Sequence, residues 1–339
     1  MDRVVFHVDL DEFIAAVEIL RRPGLEGLPV VVGGDGDPTK RGVVSTANYA
    51  ARTYGIHSAM PLRTAYKRCP HAVFLPVDAD AYLAASAEVM ATLRTFPAVV
   101  EVAGWDEAFM EVARPEDPEA LARDVQRAVL ERTRLWCTVG IGDNKLRAKL
   151  ASGFGKPRGA FLLTRGNWHE VMDALPTDRL WGIGRKTARK LQGLGIRLVA
   201  ELADADEQVL ADAFGPRTGP WLRRLATGED ESPVSAEPYA PKGRGRERTF
   251  QEDLAEPEQV RREVARLARE LAQDLADEER PVVRVVVKVR FAPFLTVSHG
   301  AALEPGAGIE AAALAALERF GLDRPVRLVG VRAELAPPA

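Results

Sequence analysis

Three acidic side chains lie where predicted strands meet a turn, an arrangement in which carboxylates can bind divalent metal ions. Asp9 falls at the end of the apolar run 4–10, and Asp106 and Glu107 begin a second strand-like run. If these strands are neighbours, the carboxylates converge at one sheet edge, where they repel each other unless cations neutralise them. Mg²⁺ binds carboxylate oxygens and keeps positions open for phosphate, so two such ions could support phosphoryl transfer.

The spacing of these acids also leaves a second interpretation open, in which they are surface caps and turn residues. Adjacent residues of an ideal strand point to opposite faces. Asp106 and Glu107 can therefore both face a metal only if the backbone twists or turns between them. Of the two, Asp106 is the preferred metal ligand. Asp11 is interpreted as the N-cap of a helix that runs from about residue 12 to residue 20.

A second group of polar side chains could bind phosphate oxygens. Residues 45–54 are predicted to be helical, and Thr46, Tyr49 and Arg52 would then lie along one slowly drifting face. Their hydroxyl, phenol and guanidinium groups all donate hydrogen bonds. Lys156, in a Gly-Lys-Pro loop, could add an ammonium group. The alternative is that these side chains are only solvated.

A glycine-rich turn and the basic residues after it suggest contact with a nucleic-acid backbone. Gly182 and Gly184 lie between two helical segments, and Arg185 and Lys186 follow them. Glycines let a backbone approach a phosphate closely, with N–H groups pointing outward. An ordinary corner between two helices is the alternative.

Alternating basic and apolar residues mark a strand near the C-terminus. In residues 282–291, Arg284, Lys288 and Arg290 occupy even positions, whereas the apolar Val285, Val287, Val289 and Phe291 occupy odd positions. On a strand this pattern gives one apolar and one cationic face. The cationic face suits a phosphate backbone bound without sequence preference, although a solvated sheet face is the alternative.

The same basic alternation occurs in the preceding predicted strand, at Arg244, Arg246 and Arg248. We expect these arginines to extend the cationic face. The helix between the two strands, at about 256–279, carries many acids and should cover the back of the sheet.

The elements that must position these groups indicate an α+β protein of several domains. The chain has 339 residues, with 46% hydrophobic residues and a net charge of -3. It has no apolar run long enough for a membrane span and no signal-peptide pattern at the N-terminus, so we expect a cytoplasmic protein. Residues 170–230 are predicted to be helical, and a Pro-rich linker precedes a final α+β module. Cys69 and Cys137 are expected to be reduced.

Long motifs in a fixed order resemble the Y-family DNA polymerases, in particular the bacterial DinB branch. The matching segments are HVDLDEFIAAVE (7–18), VSTANYAARTYGIHSAMP (44–61), EVAGWDEAFMEV (101–112), TVGIGDNKLRAKLASGFGKPRG (138–159), LWGIGRKTARKLQGLGI (180–196), RTF (248–250) and VVVKVRFAPFLTVS (285–298). The resemblance covers nearly the whole chain.

This resemblance implies a right-hand polymerase with a separate little-finger domain. The implied domains are a palm (1–10 and 78–166), fingers (11–77), a helix-hairpin-helix thumb (167–232), a linker (233–243) and an α+β little finger (244–339). It also implies that Asp9, Asp106 and Glu107 are the metal-binding carboxylates and that Leu10 offers a backbone carbonyl. Thr46, Tyr49, Arg52 and Lys156 match the triphosphate contacts.

The implied reaction is template-directed addition of a deoxynucleotide to a primer 3′-OH, with low fidelity and bypass of damaged template. It would use two Mg²⁺ ions, with Mn²⁺ as the alternative metal. A catalytically silent DNA-binding scaffold and a metal-dependent nuclease are the competing classes. We expect a monomer that does not depend on a sliding clamp, because no clamp-binding peptide is recognisable after Arg332.

One position departs from the family pattern. The fifth residue after the first metal-binding aspartate is usually Tyr or Phe, whose ring leaves no room for a ribose 2′-OH. Here that residue is Ile14, and the adjacent Phe13 would point about 100° away on a helix. We therefore expect ribonucleotides to be incorporated readily. The alternative is that Ile14 is a core residue and another side chain excludes the 2′-OH.

Overall fold

The chain divides into two compact units. The computed structural model describes residues 3–113, 115–304 and 306–338. Unit 1 comprises Met1–Asp37, Val43–Met60 and Thr64–Pro238, and unit 2 comprises Pro38–Gly42, Pro61–Arg63 and Tyr239–Ala339. Each unit has its own hydrophobic core.

The regular elements are a mixture of strands and helices as far as residue 163, and are helical from there to residue 226. In chain order they are β1 (Val4–Leu10), α1 (Phe13–Arg21), β2 (Val30–Val32), β3 (Thr46–Ala47), α2 (Tyr49–Arg52), α3 (Leu62–Arg68), β4 (Val73–Leu75), α4 (Ala79–Leu93), β5 (Ala98–Val102), β6 (Glu107–Val112), α5 (Pro118–Thr133), β7 (Cys137–Gly142), α6 (Lys145–Gly155), β8 (Ala160–Leu163), α7 (Trp168–Met172), α8 (Arg185–Gly193), α9 (Val199–Ala203), α10 (Glu207–Phe214) and α11 (Thr218–Ala226). The remaining elements are β9 (Gly243–Leu254), α12 (Pro257–Asp274), β10 (Val282–Phe291), β11 (Leu295–Ala302), α13 (Ile309–Leu317) and β12 (Val326–Leu335).

The central sheet of unit 1 has the strand order β5-β6-β1-β7-β8. Strand β1 lies in the middle, is buried along its whole length and pairs antiparallel with both β6 and β7. Its nearly continuous apolar sequence fits this position, because both faces of the strand are covered. The predicted hairpin at 98–112 is confirmed as β5 and β6, so the two strands that carry the acids are indeed neighbours in space.

Helix α6 lies against β7 at close range because two glycines of the strand leave room for its backbone. A Cβ atom added to Gly140 would collide with the carbonyl oxygen of Ala148, and one added to Gly142 would collide with the Ala148 nitrogen. The Val-Gly-Ile-Gly sequence therefore lets the helix backbone rest directly on the strand.

The segment predicted as one helix at 45–54 contains a strand and a short helix instead. Residues Thr46 and Ala47 form β3, which pairs antiparallel with β2, and β2 pairs parallel with β4. Helix α2 begins only at Tyr49, with the Asn48 side chain accepting a hydrogen bond from Ala51 N–H as its cap. The single-helix prediction was wrong because pairing with β2 holds this segment extended.

The helical segment of unit 1 includes the predicted glycine turn. Gly182 has φ of 98°, and an added Cβ would lie 2.8 Å from the Trp221 ring. Ile183 is buried in the helical core, so the turn is anchored by its middle residue. The predicted linker has no regular structure before β9, but its Val234 packs with Val5 in a small buried cluster.

Unit 2 contains a four-stranded antiparallel sheet in the order β11-β10-β12-β9. The predicted order of strand, helix, two strands, helix and strand is confirmed. Helices α12 and α13 pack on one face of the sheet, and the core between the sheet and these helices contains Val285, Val287, Val289 and Phe291 of β10. Within the described residues, no helix is long and apolar enough to span a membrane.

The arginines of β9 lie on the helix-covered side of the sheet, which corrects the expectation that they extend the cationic face. Arg246 pairs across the sheet with Val331, and Val331 pairs with the buried Val287. Directly paired residues of antiparallel strands point to the same side. Arg246 accordingly reaches α12, where it donates hydrogen bonds to Asp274 at 2.5 and 2.7 Å.

Candidate active site

Two carboxylates face each other across neighbouring strands at one edge of the central sheet. Asp9 on β1 is paired in register with Glu107 on β6, so both side chains project from the same face of the sheet. His7, two residues before Asp9, projects from that face as well. Ligand atoms of His7, Asp9 and Glu107 all lie within 4.8 Å of one another.

Asp106 precedes the strand and lies in the turn between β5 and β6. Its carbonyl oxygen accepts a hydrogen bond of 2.8 Å from Leu10 N–H, which fixes the turn against the end of β1. Burial raises the pKa of Asp106, and the negative charges of Asp9 and Glu107 raise it further. Because strand β6 begins at Glu107 and not at Asp106, the two adjacent acids are not restricted to opposite faces of one strand.

Two lysines from α6 and its C-terminal end reach these carboxylates. Lys156 donates to Asp9 at 2.5 Å, while Lys149 contacts Glu107 and lies 3.8 Å from Asp9. The nearby His7 ring and the Lys149 ammonium hold the pKa of Glu107 at about 2, although partial burial works in the opposite direction. Glu107 is therefore held in its ionised form beside Lys149.

The chemistry of the donor set fits a hard divalent cation. Asp9 and Glu107 offer carboxylate oxygens, which Mg²⁺ prefers as ligands, at the position that two ammonium groups approach. Asp106 lies in the adjoining turn, outside the group of ligand atoms that are within 4.8 Å of one another. His7 is fully buried, and its Nδ1 lies 2.8 Å from Ser152 Oγ. Its Nε2 is 3.5 Å from Glu107.

Of the residues predicted to bind a triphosphate, Lys156 is the one that contacts the carboxylates directly. Thr46 lies on β3, whereas Tyr49 and Arg52 lie on α2. Arg52 donates from Nε to the Ala47 carbonyl at 2.8 Å, and its guanidinium lies 4.9 Å from the centre of the Tyr49 ring. These contacts hold the Arg52 side chain beside Tyr49.

Asp11 does not cap helix α1, which corrects the sequence-based interpretation. The N-cap position is occupied by Glu12, in a left-handed conformation with φ of 45°. The buried carboxylate of Asp11 accepts hydrogen bonds from the Tyr49 hydroxyl, the Thr138 hydroxyl and Arg158 N–H. A local cap prediction failed because these distant donors bind the carboxylate.

Ile14 and Phe13 differ in their surroundings. Phe13 is 3% exposed and belongs to the core of unit 1, whereas Ile14 is half-buried at the margin of that core. The Phe13 ring is thus committed to internal packing. Ile14 is the side chain of this pair that retains an accessible surface.

The first residues of helix α8, which follow the glycine turn, are basic and exposed to solvent. Gly182 and Gly184 are exposed, and Arg185 and Lys186 begin α8 with exposed side chains. The first N–H groups of a helix lack partners within it and favour an anion. This turn can therefore accept a phosphate group.

On the sheet of unit 2, the face away from the helices carries Arg284, Lys288 and Arg290. Lys288 contacts Glu247, and Arg284 lies 3.7 Å from Glu334, so acids offset part of their charge. Arg290 instead donates to the neutral hydroxyl of Thr296 at 2.9 Å.

Arg332 on β12 belongs to the same open face and was missed in the sequence analysis. It is exposed and pairs with Val286, which lies between Arg284 and Lys288 on β10. Its alternation with the buried Val331 and Ala333 was the available signal.

Lys149 was also missed. It lies one helical turn after Lys145 inside the quoted segment 138–159, and this shared face of α6 was a usable signal. No signal in the sequence pointed to the actual partners of Asp11, because Thr138 and Arg158 are far away from it in the chain.

Comparison with known proteins identifies the family. The chain matches the sequence profile of the impB/mucB/samB family over residues 8–153, and that of the family's C-terminal domain over residues 241–337. It is 47% identical to DNA polymerase IV 2 of Mycobacterium tuberculosis, with 98% of each chain covered. It is 39% identical to DNA polymerase IV of Methanoculleus marisnigri, covering 97% of this chain and 93% of that one.

Solved structures agree with this assignment. A Y-family DNA polymerase chimera of Dbh and Dpo4 superimposes with a TM-score of 0.88 at 27% identity, with 98% of each chain covered. DinB from Sulfolobus solfataricus matches with a TM-score of 0.66 at the same identity and coverage. The paired carboxylates, the fold and the two family matches together show that the chain belongs to the impB/mucB/samB family, as a Y-family DNA polymerase of the DinB branch.

Proposed function

We propose that this protein adds nucleotides to a primer 3′-OH opposite a template base, by a two-metal mechanism. The observation that carries the proposal is the opposition of Asp9 and Glu107 across paired strands, with Asp106 in the adjoining turn. When bound, two Mg²⁺ ions, or Mn²⁺ as the alternative, would neutralise these carboxylates and stabilise the attacking and leaving oxygens. Asp9, Asp106, Glu107 and the Leu10 carbonyl would hold them.

The chain's own residues would bind the incoming triphosphate. Lys156 already lies beside Asp9, and Arg52 is held next to Tyr49, so one ammonium and one guanidinium are available to phosphate oxygens. Thr46, on the strand before α2, would add a hydroxyl. In this proposal residues 1–10 and 78–166 form the palm.

Primer–template DNA would bind through backbone phosphates at two cationic surfaces. The first is the glycine turn with Gly182, Gly184, Arg185 and Lys186. The second is the open face of the unit 2 sheet, where Arg290 bonds to a neutral hydroxyl and Arg284, Lys288 and Arg332 lie nearby. Arg244, Arg246 and Arg248 contribute less here, because α12 engages Arg246 and Arg248 through acids and Arg244 through a carbonyl.

Two finer features of the activity follow from single observations. Ile14 is the accessible residue at the position where the family usually has an aromatic ring, so discrimination against ribonucleotides should be weak. The family relationship supports error-prone synthesis across damaged template. In this proposal residues 11–77 form the fingers, 167–232 the thumb and 244–339 the little finger, with 233–243 as the linker.

Primer extension tests the proposal against its two rivals. The wild-type protein is given a labelled primer–template, one deoxynucleotide at a time and Mg²⁺, with EDTA as the control. We expect extension that requires the nucleotide complementary to the template, including on a template with an abasic site. Shortening of the primer would indicate a nuclease, and unchanged primer with bound DNA would indicate a catalytically silent scaffold.

A further inference from the structure

Asp11 joins three separate segments of unit 1 through one buried carboxylate. The side chain is 3% exposed, and its oxygens accept hydrogen bonds from the Tyr49 hydroxyl at 2.8 Å and the Thr138 hydroxyl at 3.0 Å. They also accept one from Arg158 N–H at 2.9 Å. A buried carboxylate with this many donors is firmly fixed, and so are the groups that donate to it.

The segments that Asp11 joins are the ones that carry the nucleotide-binding candidates. Arg158 belongs to the loop after α6, and two residues earlier in that loop Lys156 reaches Asp9. Tyr49 begins α2, the helix that carries Arg52. Glu12, the next residue after Asp11, accepts a hydrogen bond from Tyr49 N–H, so two consecutive acids hold the backbone and the hydroxyl of Tyr49.

The proton of the Tyr49 hydroxyl limits what this side chain can do. A phenol has one proton to donate, whereas ionised carboxylates and phosphate oxygens only accept. The Tyr49 hydroxyl donates its hydrogen bond to Asp11. Burial of the phenol is the main cause that raises the pKa of Tyr49, and this hydrogen bond raises it further. While the bond persists, Tyr49 cannot donate to a phosphate.

We propose that Asp11 is a positioning residue of the nucleotide site, which acts by fixing Tyr49 and the loop that carries Lys156. This inference rests on the proposed polymerase function. Tyr49 also supports Arg52, whose guanidinium lies over its ring, so fixing Tyr49 fixes one of the proposed phosphate contacts.

The test is a double-mutant cycle of Asp11→Asn and Tyr49→Phe. Asparagine keeps the size of the side chain but places an amide N–H₂ among three donors. The readouts are equilibrium affinity for a non-hydrolysable deoxynucleotide on a dideoxy-terminated primer–template, KM and kcat in primer extension, and DNA affinity. We expect Asp11→Asn to weaken nucleotide binding and raise KM about tenfold or more, with DNA affinity changed less than about twofold.

Coupling between the two residues is the sharper part of the test. If the Tyr49 hydroxyl acts through Asp11, Tyr49→Phe should weaken nucleotide binding in the wild type but add less than about twofold in the Asp11→Asn background. Tyr49→Phe removes only the hydroxyl group and its hydrogen bond, so this variant should fold. It therefore tests the inference even if Asp11→Asn does not fold.

The same unit contains a matched control pair. Glu18 is a buried carboxylate on α1 that accepts a hydrogen bond of 2.7 Å from the hydroxyl of the buried Tyr82. Glu18→Gln and Tyr82→Phe perturb another buried carboxylate–tyrosine pair, whose further partners are Arg21 and Arg22 and not residues of α2 or the Lys156 loop. We expect these variants to lose thermal stability while keeping wild-type nucleotide affinity.

Three results would overturn the inference. They are unchanged nucleotide affinity in folded Asp11→Asn, fully additive effects of the two substitutions, and an equal loss of nucleotide affinity in the Glu18 and Tyr82 controls. Failure of the proposed polymerase function can be distinguished from failure of this inference, because in that case the wild-type protein itself would extend no primer.

Discussion

The carboxylate edge of unit 1 and the cationic sheet face of unit 2 are both charged, but they are built in opposite ways. At the edge, strand register sets Asp9 against Glu107, and both are partly buried beside ammonium groups. On the sheet face, Arg284 is exposed and Lys288 is partly exposed, and nearby acids offset part of their charge. Charges that are fixed and partly buried depend strongly on one another, so the loss of one affects the whole group. Exposed charges each contribute a small amount of free energy, which salt screens. Substitutions should therefore have large effects at the edge and small ones on the sheet.

The largest expected effect is loss of nucleotide addition in Asp106→Ala. Removing one carboxylate from a set that must hold two cations should reduce the extension rate by more than about a hundredfold. DNA affinity, measured by fluorescence anisotropy, should stay close to that of the wild type, because the proposed DNA contacts lie elsewhere. Glu119→Ala, an exposed acid on α5, is the control. Extension by Asp106→Ala within tenfold of the wild type would contradict the metal assignment.

Ile14→Phe should change sugar selection by about ten- to a hundredfold. A merely apolar pocket rejects an added hydroxyl by only about a hundredfold or less, whereas an aromatic ring at this position would occupy the space of the 2′-OH. The measurement is kcat/KM for a deoxynucleotide divided by that for its ribonucleotide. A wild-type ratio above about 10⁴, unchanged in the variant, would show that another residue excludes the ribose.

Lys149→Ala should destabilise the metal-free protein by about 1–3 kcal/mol, since it removes the ammonium beside Glu107 and leaves only Lys156 to offset the charges of Asp9 and Glu107. Mg²⁺ should recover most of this loss, because it supplies the missing positive charge. Lys145→Ala is the matched control one turn earlier on α6, where the partner is Glu101 at 2.6 Å. Thermal unfolding in EDTA and in Mg²⁺ gives the comparison. Equal Mg²⁺ rescue of both variants would contradict binding of the ion at Asp9 and Glu107.

The smallest expected effect separates two arginines of the same sheet. Arg290→Ala, on the open face, should lower the slope of log affinity against log salt by about one unit. Arg246→Ala, on the helix-covered side and bonded to Asp274, should leave this slope nearly unchanged. The measurement is the affinity for primer–template DNA across a series of salt concentrations. Equal slopes in the two variants would mean that the open face does not contact the DNA backbone.

Features that depend on local sequence could be predicted, and those that depend on distant pairing could not. The β5–β6 hairpin and the buried odd-numbered residues of β10 follow from turn chemistry and alternation. The face on which the β9 arginines lie depends on their register with β12, which alternation within β9 does not specify. Thr46 was placed on a helix because propensity cannot anticipate its pairing with β2.

The two glycines of β7 have a consequence for how this protein can be altered. Their missing side chains let the α6 backbone rest on the strand, and the two lysines that reach Asp9 and Glu107 come from that helix and its end. Any larger residue at Gly140 or Gly142 would push the helix outward and withdraw both lysines together. Directed-evolution libraries should therefore keep these positions fixed and place diversity on the solvent-facing residues of α6.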